Sequence, residues 1–168
     1  SGTGQHADFF TSQEPGWIWQ PSDMDESSLA SIESYRLEAK TENFLAPLRL
    51  STTDVKWGVG RFQGSLCCNM IHISPWDACL GLFAKLSKHL VHKASLVLYG
   101  PFIQDDVETC ASNLNFDQSL RNQNPLWGLR NLREVCQVAE NYHFRCSHVY
   151  EMPANNLAVI YTRMETER

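Results

Sequence analysis

The fold is decided at residues 65–77, which read Ser65-Leu-Cys-Cys-Asn-Met-Ile-His-Ile-Ser-Pro-Trp-Asp77. Residues 65–71 are apolar almost throughout, as expected for a central strand that is covered on both faces of a sheet. Ser74 then offers an N-cap, Pro75 occupies the first helical position, and Asp77 puts a negative charge in the first turn. The sequence therefore predicts a buried strand followed directly by a helix, whose buried face holds Trp76, Leu80, Phe83 and Leu90.

Helices and strands alternate on both sides of this stretch. Helices are predicted at residues 5–13, 25–39 and 116–121, and a last one from Asn131, which forms a capping box with Glu134. Strands are predicted at residues 17–20, 48–50, 95–99, 144–151 and 157–162. This alternation indicates an α/β fold with a mostly parallel sheet and right-handed crossovers. No helix separates the last two strands, so they are expected to form a terminal hairpin.

Composition and charge indicate one globular domain. The chain has 168 residues, 43% of them apolar, and a formal net charge of -5 without a basic stripe, which argues against a large nucleic-acid interface. No apolar run is long enough to cross a bilayer, and no leader is evident, so we expect a soluble, intracellular and cytoplasmic protein. The six cysteines form no CxxC pair and are expected to be reduced. His89 and His92 lack partners for a metal site, and no metal is predicted.

Two candidate ligand-binding features lie near the start of the chain, a glycine turn and an aspartate. Gly2 and Gly4 allow a tight turn in front of a helix, where backbone N–H groups favour an anionic or polar ligand. A turn of this kind is equally typical of purely structural connections. Asp23 follows the strand at residues 17–20, where doubly wound folds place a carboxylate that binds ribose hydroxyls. The alternative is that Asp23 caps the helix at residues 25–39, in a capping box with Glu26.

Asn69 and His72 lie at the end of the predicted central strand, where open α/β sheets bind their ligands. Neutral imidazole is a suitable base near neutral pH, so His72, with Asn69, is the catalytic candidate. A histidine among apolar neighbours is also common as a hydrogen-bonded core residue. Both interpretations stay open at this point.

Several longer motifs resemble one known family, the methyltransferase-like protein 26 family, over residues 1 to about 163. They are Ser1-Gly-Thr-Gly-Gln-His6, Gln20-Pro-Ser-Asp23, Asn69-Met-Ile-His-Ile-Ser-Pro-Trp76, Tyr99-Gly-Pro101, Asn115-Phe-Asp-Gln-Ser-Leu-Arg121, Asn124-Pro-Leu-Trp-Gly-Leu-Arg130 and Glu151-Met-Pro-Ala-Asn-Asn156. The resemblance implies a Rossmann-like class I S-adenosylmethionine-dependent methyltransferase fold. Its strand order would be three, two, one, four, five, seven, six, with the last strand antiparallel.

The same resemblance implies a cofactor, S-adenosylmethionine, and assigns residues to it. The cofactor contacts it implies are Gly2, Thr3, Gly4, His6, Asp23, Ser51, Asn69 and Met70, with Asp23 on the ribose. His72 would stand near the reacting groups. The acceptor contacts it implies are Tyr99, Asn115, Trp127, Arg130, Asn155 and Asn156.

The chain departs from the family pattern in two places. Ser51 stands where an Asp is expected to approach the adenine amino group, so Ser51 or the nearby Asp54 would replace that contact. The strand expected before Ser1 is missing from the sequence, which indicates a single methyltransferase-like domain, residues 1–168, truncated at its N-terminus.

Three functions are compatible with these features. Methyl transfer ranks first, with an unknown acceptor for which a small molecule is slightly favoured over protein or RNA. Methyl transfer requires above all that the acceptor is held in line with the methyl group. A base such as His72 is required only if the acceptor must lose a proton. A non-catalytic interaction protein with the same fold is the second. A nicotinamide-dependent reductase is the third, and a terminal antiparallel hairpin would count against it.

Overall fold

A computed structural model describes residues 2–165. They form two compact units, the first ending at Asp54 and the second beginning at Val55. Ser1 of the predicted glycine turn lies outside the described residues. Within residues 2–165, no helix combines the length and the apolar composition needed to cross a membrane.

The first unit pairs two helices with a short parallel ladder. Its elements are α1 (Gln5–Gln13), β1 (Ser22–Asp23), α2 (Glu26–Ala39) and β2 (Leu48–Arg49). β1 pairs with β2 in parallel. Helix α1 packs on α2 around a small core of Ala7, Ile32 and Phe44. Ile32 is the buried residue of α2, and Ala7 and Thr11 are the buried residues of α1.

The strand predicted at residues 17–20 is wrong. Only Trp19 forms a bridge there, to Phe44, and the ladder begins after Pro21. Trp17 and Ile18 are 53% and 76% exposed, so the aromatic run has no covering layer. Strand propensity of aromatic residues depends on packing against neighbours, which this run lacks.

The second unit contains a four-stranded mixed sheet. Its elements are β3 (Phe62–Cys68), α3 (Trp76–His89), β4 (Leu90–Gly100), β5 (Phe102–Ile103), α4 (Ala111–Gln123), β6 (Arg130–Asn131), α5 (Leu132–Asn141), β7 (Phe144–Met152) and β8 (Asn156–Arg163). The sheet order is β3-β4-β8-β7. β3 runs parallel to β4, whereas β8 is antiparallel to both β4 and β7. The terminal hairpin and the order implied for the last four strands of the fold are thus confirmed.

The core of the second unit lies between α3, α5 and the sheet. Phe83 of α3 packs edge-on against Phe144 and Tyr161, and all three side chains are at most 1% exposed. Leu96 and Leu98 of β4 and Val135 of α5 complete this contact. Aromatic edge-to-face pairs are worth about 1 kcal/mol each beyond the area they bury, so this cluster anchors both helices to β4 and β8.

Three predicted boundaries in the second unit differ from the structure. β3 ends at Cys68 because Asn69 adopts a left-handed conformation, with φ 57°, and it is the outer strand of the described sheet rather than a central one. Helix α3 begins at Trp76 with Pro75 as N-cap and no side-chain cap, because the Ser74 hydroxyl donates to the Met70 carbonyl. Leu90, expected on the helix, is the first residue of β4, which continues to Gly100.

Of the other helices, α2 and α4 differ from the prediction in their cap or length, whereas the cap of α5 agrees with it. Asp25, not Asp23, caps α2, since its carboxylate accepts the Ser28 N–H at 2.8 Å. Helix α4 has 13 residues, whereas only a short segment at residues 116–121 was expected. Asn131 caps α5 as predicted, accepting the N–H groups of Arg133 and Glu134.

Candidate functional site

The glycine turn before α1 uses its two glycines differently. Gly2 has φ 58°, and a Cβ there would meet nothing within 4 Å. Gly4 has φ 101°, and a Cβ there would lie 2.9 Å from Ile32 Cα. Gly4 therefore serves the close packing of α1 on α2, whereas Gly2 presents backbone with open space in front of it.

Asp23 connects this turn to the end of β1. Its Oδ2 accepts the Gly2 N–H at 3.0 Å, and its Oδ1 accepts the N–H groups of Met24 and Asp25. Partial burial acts to raise the pKa of Asp23, yet the hydrogen bonds that the carboxylate accepts, including those from Asp25 and Gly2, hold its pKa below the usual value. Asp23 is thus an ionised acceptor at the glycine turn.

The other predicted cofactor residues of the first unit lie in exposed or turn positions. The Thr3 carbonyl accepts the Ser31 hydroxyl, and His6 is exposed on α1. Ser51 opens a turn in which its N–H donates to Asp54 Oδ2 at 2.7 Å and its hydroxyl lies 2.8 Å from that of Thr53. The carboxylate of Asp54 is therefore directed back onto this turn, and the adenine contact of Ser51 stays a prediction.

In the second unit, the turn after β3 is fastened to the end of β4. The Asn69 N–H donates to the Tyr99 carbonyl at 2.8 Å, and the His72 N–H donates to the Asn69 carbonyl at 3.0 Å. A Cβ at Gly100 would lie 2.8 Å from both Asn69 Oδ1 and His72 Nε2. The two polar side chains singled out in the sequence thus converge on the backbone of Gly100.

His72 is completely buried, and besides donating its N–H to Asn69 it accepts two backbone N–H groups. Its Nδ1 accepts the Arg130 N–H at 3.3 Å, and its carbonyl accepts the Gly128 N–H at 2.9 Å. Burial lowers the pKa of His72 to about 4, and the Arg130 guanidinium acts in the same direction. The ring is therefore neutral near neutral pH, and because Nδ1 is an acceptor, the proton lies on Nε2.

The Nε2 atom of His72 has no hydrogen-bond partner among the described residues. Its ring packs edge-on against Phe102, with centroids 5.0 Å apart. A buried donor without a partner is uncommon and costs about 1–3 kcal/mol, so such an atom is a candidate contact for water or ligand. In this tautomer Nε2 offers a proton. A role as base requires the other tautomer, and the catalytic role of His72 stays a prediction.

Arg130, an expected acceptor contact, holds the backbone around His72. Its guanidinium donates to the carbonyls of Ile71, Ser74 and Leu126 at 2.6–2.9 Å. It also stacks over the Trp76 ring, 5.5 Å from the centroid. These contacts join the segment 124–130 to the turn after β3.

Asp117 and Gly128, which also stand in the quoted motifs, contact each other where helix α4 meets the segment 124–130. Asp117 accepts the Leu129 N–H at 2.7 Å and pairs with Arg121 at 2.8 Å. A Cβ at Gly128 would lie 2.7 Å from Asp117 Oδ1. Three of the motifs therefore meet around His72. Both residues were quoted within motifs, but nothing in their spacing indicated the contact.

A cleft of 240 Å³ lies beside this junction, between the end of β4, the start of α4 and the hairpin connection. Asn155 and Asn156, two of the expected acceptor residues, line it. Tyr99, Asn115, Trp127 and Arg130 do not. Phe102, Glu108, Cys110 and Asn113 also line the cleft and were not singled out in the sequence, whereas Glu151 and Met152 stand in a quoted motif without an assigned role.

Asn113 shapes this cleft from helix α4. It is 9% exposed, and its amide donates to the Asn155 carbonyl at 3.0 Å. Ala154 and Asn155 both have left-handed backbones, with φ 58° and 56°. Two such non-glycine residues in succession cost about 1–2 kcal/mol each, so the hydrogen bond from Asn113 stabilises a strained turn. The Asn-Asn pair was the only sequence signal for it.

Several solved structures superpose on nearly the whole length of this chain. An O-methyltransferase family protein from Burkholderia thailandensis superposes with a TM-score of 0.85 at 11% identity, covering 99% of this chain and 49% of that chain. The mitomycin 7-O-methyltransferase MmcR gives 0.82 at 14% identity, covering 96% and 46%. A LepI variant in complex with SAH and a substrate analogue gives 0.76 at 10% identity, covering 97% and 41%.

The chain has the fold of the class I S-adenosylmethionine-dependent O-methyltransferases. It spans about half the length of the structures it matches, and identities this low show the fold alone. The sequence profile of the family described as "Protein of unknown function (DUF938)" matches residues 1–163, and the chain belongs to that family.

Proposed function

We propose that this chain is an S-adenosylmethionine-dependent methyltransferase with a small-molecule acceptor, working inside the cell as one methyltransferase domain. The observation that carries the proposal is the ionised Asp23 carboxylate bonded to the open backbone of Gly2, in front of helix α1. The fold shared with O-methyltransferases supports it. We also propose that the chain is related to the methyltransferase-like protein 26 family, on the resemblance of its motifs.

The residues of the first unit fit a nucleoside with a charged tail. The Asp23 carboxylate lies at the end of β1 beside the glycine turn, and carboxylate oxygens are the acceptors that ribose hydroxyls require. Gly2 has open space where a Cβ would stand, and α1 has Gly4 as its N-cap and therefore no side-chain cap. Gly2, Thr3 and Asp23 would hold S-adenosylmethionine, with Ser51 on the adenine. When bound, it supplies a methyl group on a sulfonium, a good electrophile.

The second unit would position the acceptor. We assign His72 and Asn69 as positioning residues behind the wall of the acceptor cleft, because Phe102, which lines the cleft, contacts the His72 ring edge-on. The pKa of about 4 makes the His72 imidazole a weak base, so positioning would dominate over proton removal. Asn155 and Asn156 would contact the rest of the acceptor in the cleft.

The antiparallel pairing of β8 argues against the reductase alternative. A non-catalytic interaction protein with this fold remains the competing hypothesis, and a binding experiment separates the two in part. It consists of calorimetric titration of S-adenosylmethionine and S-adenosylhomocysteine into the wild-type chain, Asp23→Ala and the control Glu38→Ala, which removes an exposed carboxylate of α2.

We expect binding by the wild type and by Glu38→Ala, and a loss of about tenfold or more in Asp23→Ala, since hydrogen bonds to charged groups contribute about 1.5–3 kcal/mol. Equal affinity in Asp23→Ala would remove Asp23 from the site. No binding by a wild-type chain whose circular dichroism shows it folded would refute the methyltransferase proposal and leave the interaction protein.

A further inference from the structure

The cleft of 240 Å³ lies at the carboxyl end of β4, next to the turn that holds His72. Phe102 lines the cleft and contacts the His72 ring edge-on. Leu157, which also lines it, pairs with Gly100 across β4 and β8. A molecule in this cleft would therefore be one side chain away from the buried Nε2 atom. Nothing in the family or fold assignment states what the cleft binds.

The size of the cleft restricts its ligand. Clefts for drug-sized ligands have volumes of about 300–1,000 Å³, so this cleft is suited to a smaller, single-ring molecule. Phe102, Val107, Met152 and Leu157 supply an apolar wall for such a ring. Methionine and phenylalanine both make favourable contacts with aromatic rings.

The charge of the cleft restricts the ligand further. Glu108 and Glu151 line it from two separate segments, and no Lys, Arg or His is among its lining residues in the described chain. Arg133 lines the neighbouring cleft and is paired with Asp105 at 2.9 Å. Two carboxylates without a cation in the lining attract a positive ligand and repel an anion.

The hairpin connection holds the cleft in this shape. Glu151 precedes the strained turn at Ala154 and Asn155, and the Asn113 amide fastens that turn to helix α4 at 3.0 Å. The Asn156 amide also closes the turn, donating to the Pro153 carbonyl at 3.1 Å. These contacts fix the hairpin connection and with it the wall of the cleft that holds Glu151 and Asn155.

We propose that this cleft binds a small aromatic acceptor carrying a protonated amine, with Glu108 and Glu151 contacting the amine and Phe102 and Met152 the ring. The inference deepens the proposed methyl transfer and rests on it. The amides of Asn155 and Asn156 would fix the orientation of the ring substituents. The cleft would favour a ligand whose ring carries a positively charged substituent. This preference can be measured as binding affinity, without methyl transfer.

Three phenols that differ in tail charge test the proposal: tyramine, neutral tyrosol and the anion para-hydroxyphenylacetate. Their binding is measured by calorimetry with and without S-adenosylhomocysteine, at low ionic strength. The proteins are wild type, the double variant Glu108→Gln with Glu151→Gln, and Glu140→Gln, which neutralises an exposed carboxylate of α5 outside the cleft.

We expect wild type and Glu140→Gln to bind tyramine roughly tenfold more tightly than tyrosol, since two exposed ion pairs together are worth about one order of magnitude in affinity. The double variant loses this preference but keeps its affinity for tyrosol. Absence of tyramine binding, equal binding of tyramine and the anion, or an unchanged preference in the double variant would overturn the assignment.

Cys110 reports whether the ligand occupies this cleft. Its thiol lines the cleft, and hydrogen bonds from Ser112 and the Asn113 backbone lower its pKa, whereas burial raises the pKa of Cys67 and Cys79 to about 12. Cys110 is therefore expected to react with iodoacetamide faster than those two thiols. Tyramine slows that reaction, as mapped by mass spectrometry, if it binds here. An unchanged rate under saturating tyramine places the ligand elsewhere and refutes the inference.

The outcomes separate this inference from the methyltransferase proposal. S-adenosylhomocysteine binding without a tail-charge preference refutes the amine cleft and leaves the methyltransferase proposal standing. A preference that depends on Glu108 and Glu151, without any S-adenosylhomocysteine binding, refutes the methyltransferase proposal and supports an amine-binding cleft.

Discussion

Gly100 lies where β4 ends, and the space in front of its Cα is taken by two polar side chains. Asn69 Oδ1 and His72 Nε2 each lie 2.8 Å from the position of a Cβ. The His72 ring cannot move aside easily, because its Nδ1 accepts the Arg130 N–H while the His72 carbonyl accepts the Gly128 N–H. The absence of a side chain at this position is therefore a packing requirement at the candidate acceptor site.

Gly100→Ala is expected to lower the free energy of unfolding by about 1–3 kcal/mol, the usual cost of overpacking a tight core. Gly58→Ala is the matched control, since a Cβ there meets nothing within 4 Å. Denaturant unfolding of the two variants measures the difference. Equal stability of Gly100→Ala and Gly58→Ala would show that the turn after β3 gives way at little cost.

At the scale of elements, helix starts depend on which polar side chain reaches the first free N–H groups. Asn131 does so for α5, with its Oδ1 accepting from Arg133 at 2.8 Å and Glu134 at 3.3 Å. Two aspartates compete before α2, and the one that caps is Asp25, whose extended backbone directs its carboxylate at Ser28. Ser74 precedes α3 but bonds backward to Met70.

Asn131→Ala is expected to cost about 1 kcal/mol of stability, because the first turn of α5 loses its cap. Asn131→Ser retains a capping oxygen and should recover most of that loss. Asn141→Ala, at the exposed end of the same helix, should change stability by less than about 0.5 kcal/mol. Chemical denaturation checks all three. An Asn131→Ser variant as unstable as Asn131→Ala would mean that the amide contact with Asp105, not the cap, carries the effect.

At the scale of the whole molecule, the buried His72 makes stability depend on pH. Burial lowers its folded-state pKa to about 4, whereas the unfolded value is about 6.5. Between these values the unfolded chain binds a proton that the folded chain does not, so the free energy of unfolding rises with pH. The contribution is complete above the unfolded pKa and is lost as the pH falls toward the folded pKa.

Lowering the pH from about 7 to about 5 is expected to remove about 2 kcal/mol of stability through His72. His72→Asn, whose Oδ1 can replace Nδ1 as acceptor of the Arg130 N–H, should lose that part of the pH dependence. His92→Gln, at an exposed histidine, should keep it. Denaturant unfolding at both pH values gives the comparison. An identical pH response in His72→Asn and wild type would contradict a buried neutral imidazole.

Residue patterns within a few positions of each other were enough to predict α1, α2, α5 and the terminal hairpin. Apolar spacing predicted the helices, and the absence of a helix between the last two strands predicted the hairpin. The glycine turn and Asp23 were recognised as two separate features, and the structure joins them by the hydrogen bond from the Gly2 N–H to Asp23 Oδ2. The helix α4 was predicted too short because its sequence is polar, and its stability comes from the contacts of Asn113 and Asp117.

Only the tertiary structure decided where β3 and β4 end and what His72 and Arg130 contact. The hydrogen bond between them joins residues 58 positions apart, and no local spacing encodes it. The acidic cleft arises in the same way, since Glu108 and Glu151 come together only when the hairpin connection closes against α4. The sequence alone determined the fold class and most of the elements, because these depend on side-chain periodicity, whereas the aromatic run at residues 17–20 lacked the packing that a strand requires. The site depended on long-range hydrogen bonds and steric fit, which form only once the sheet has assembled.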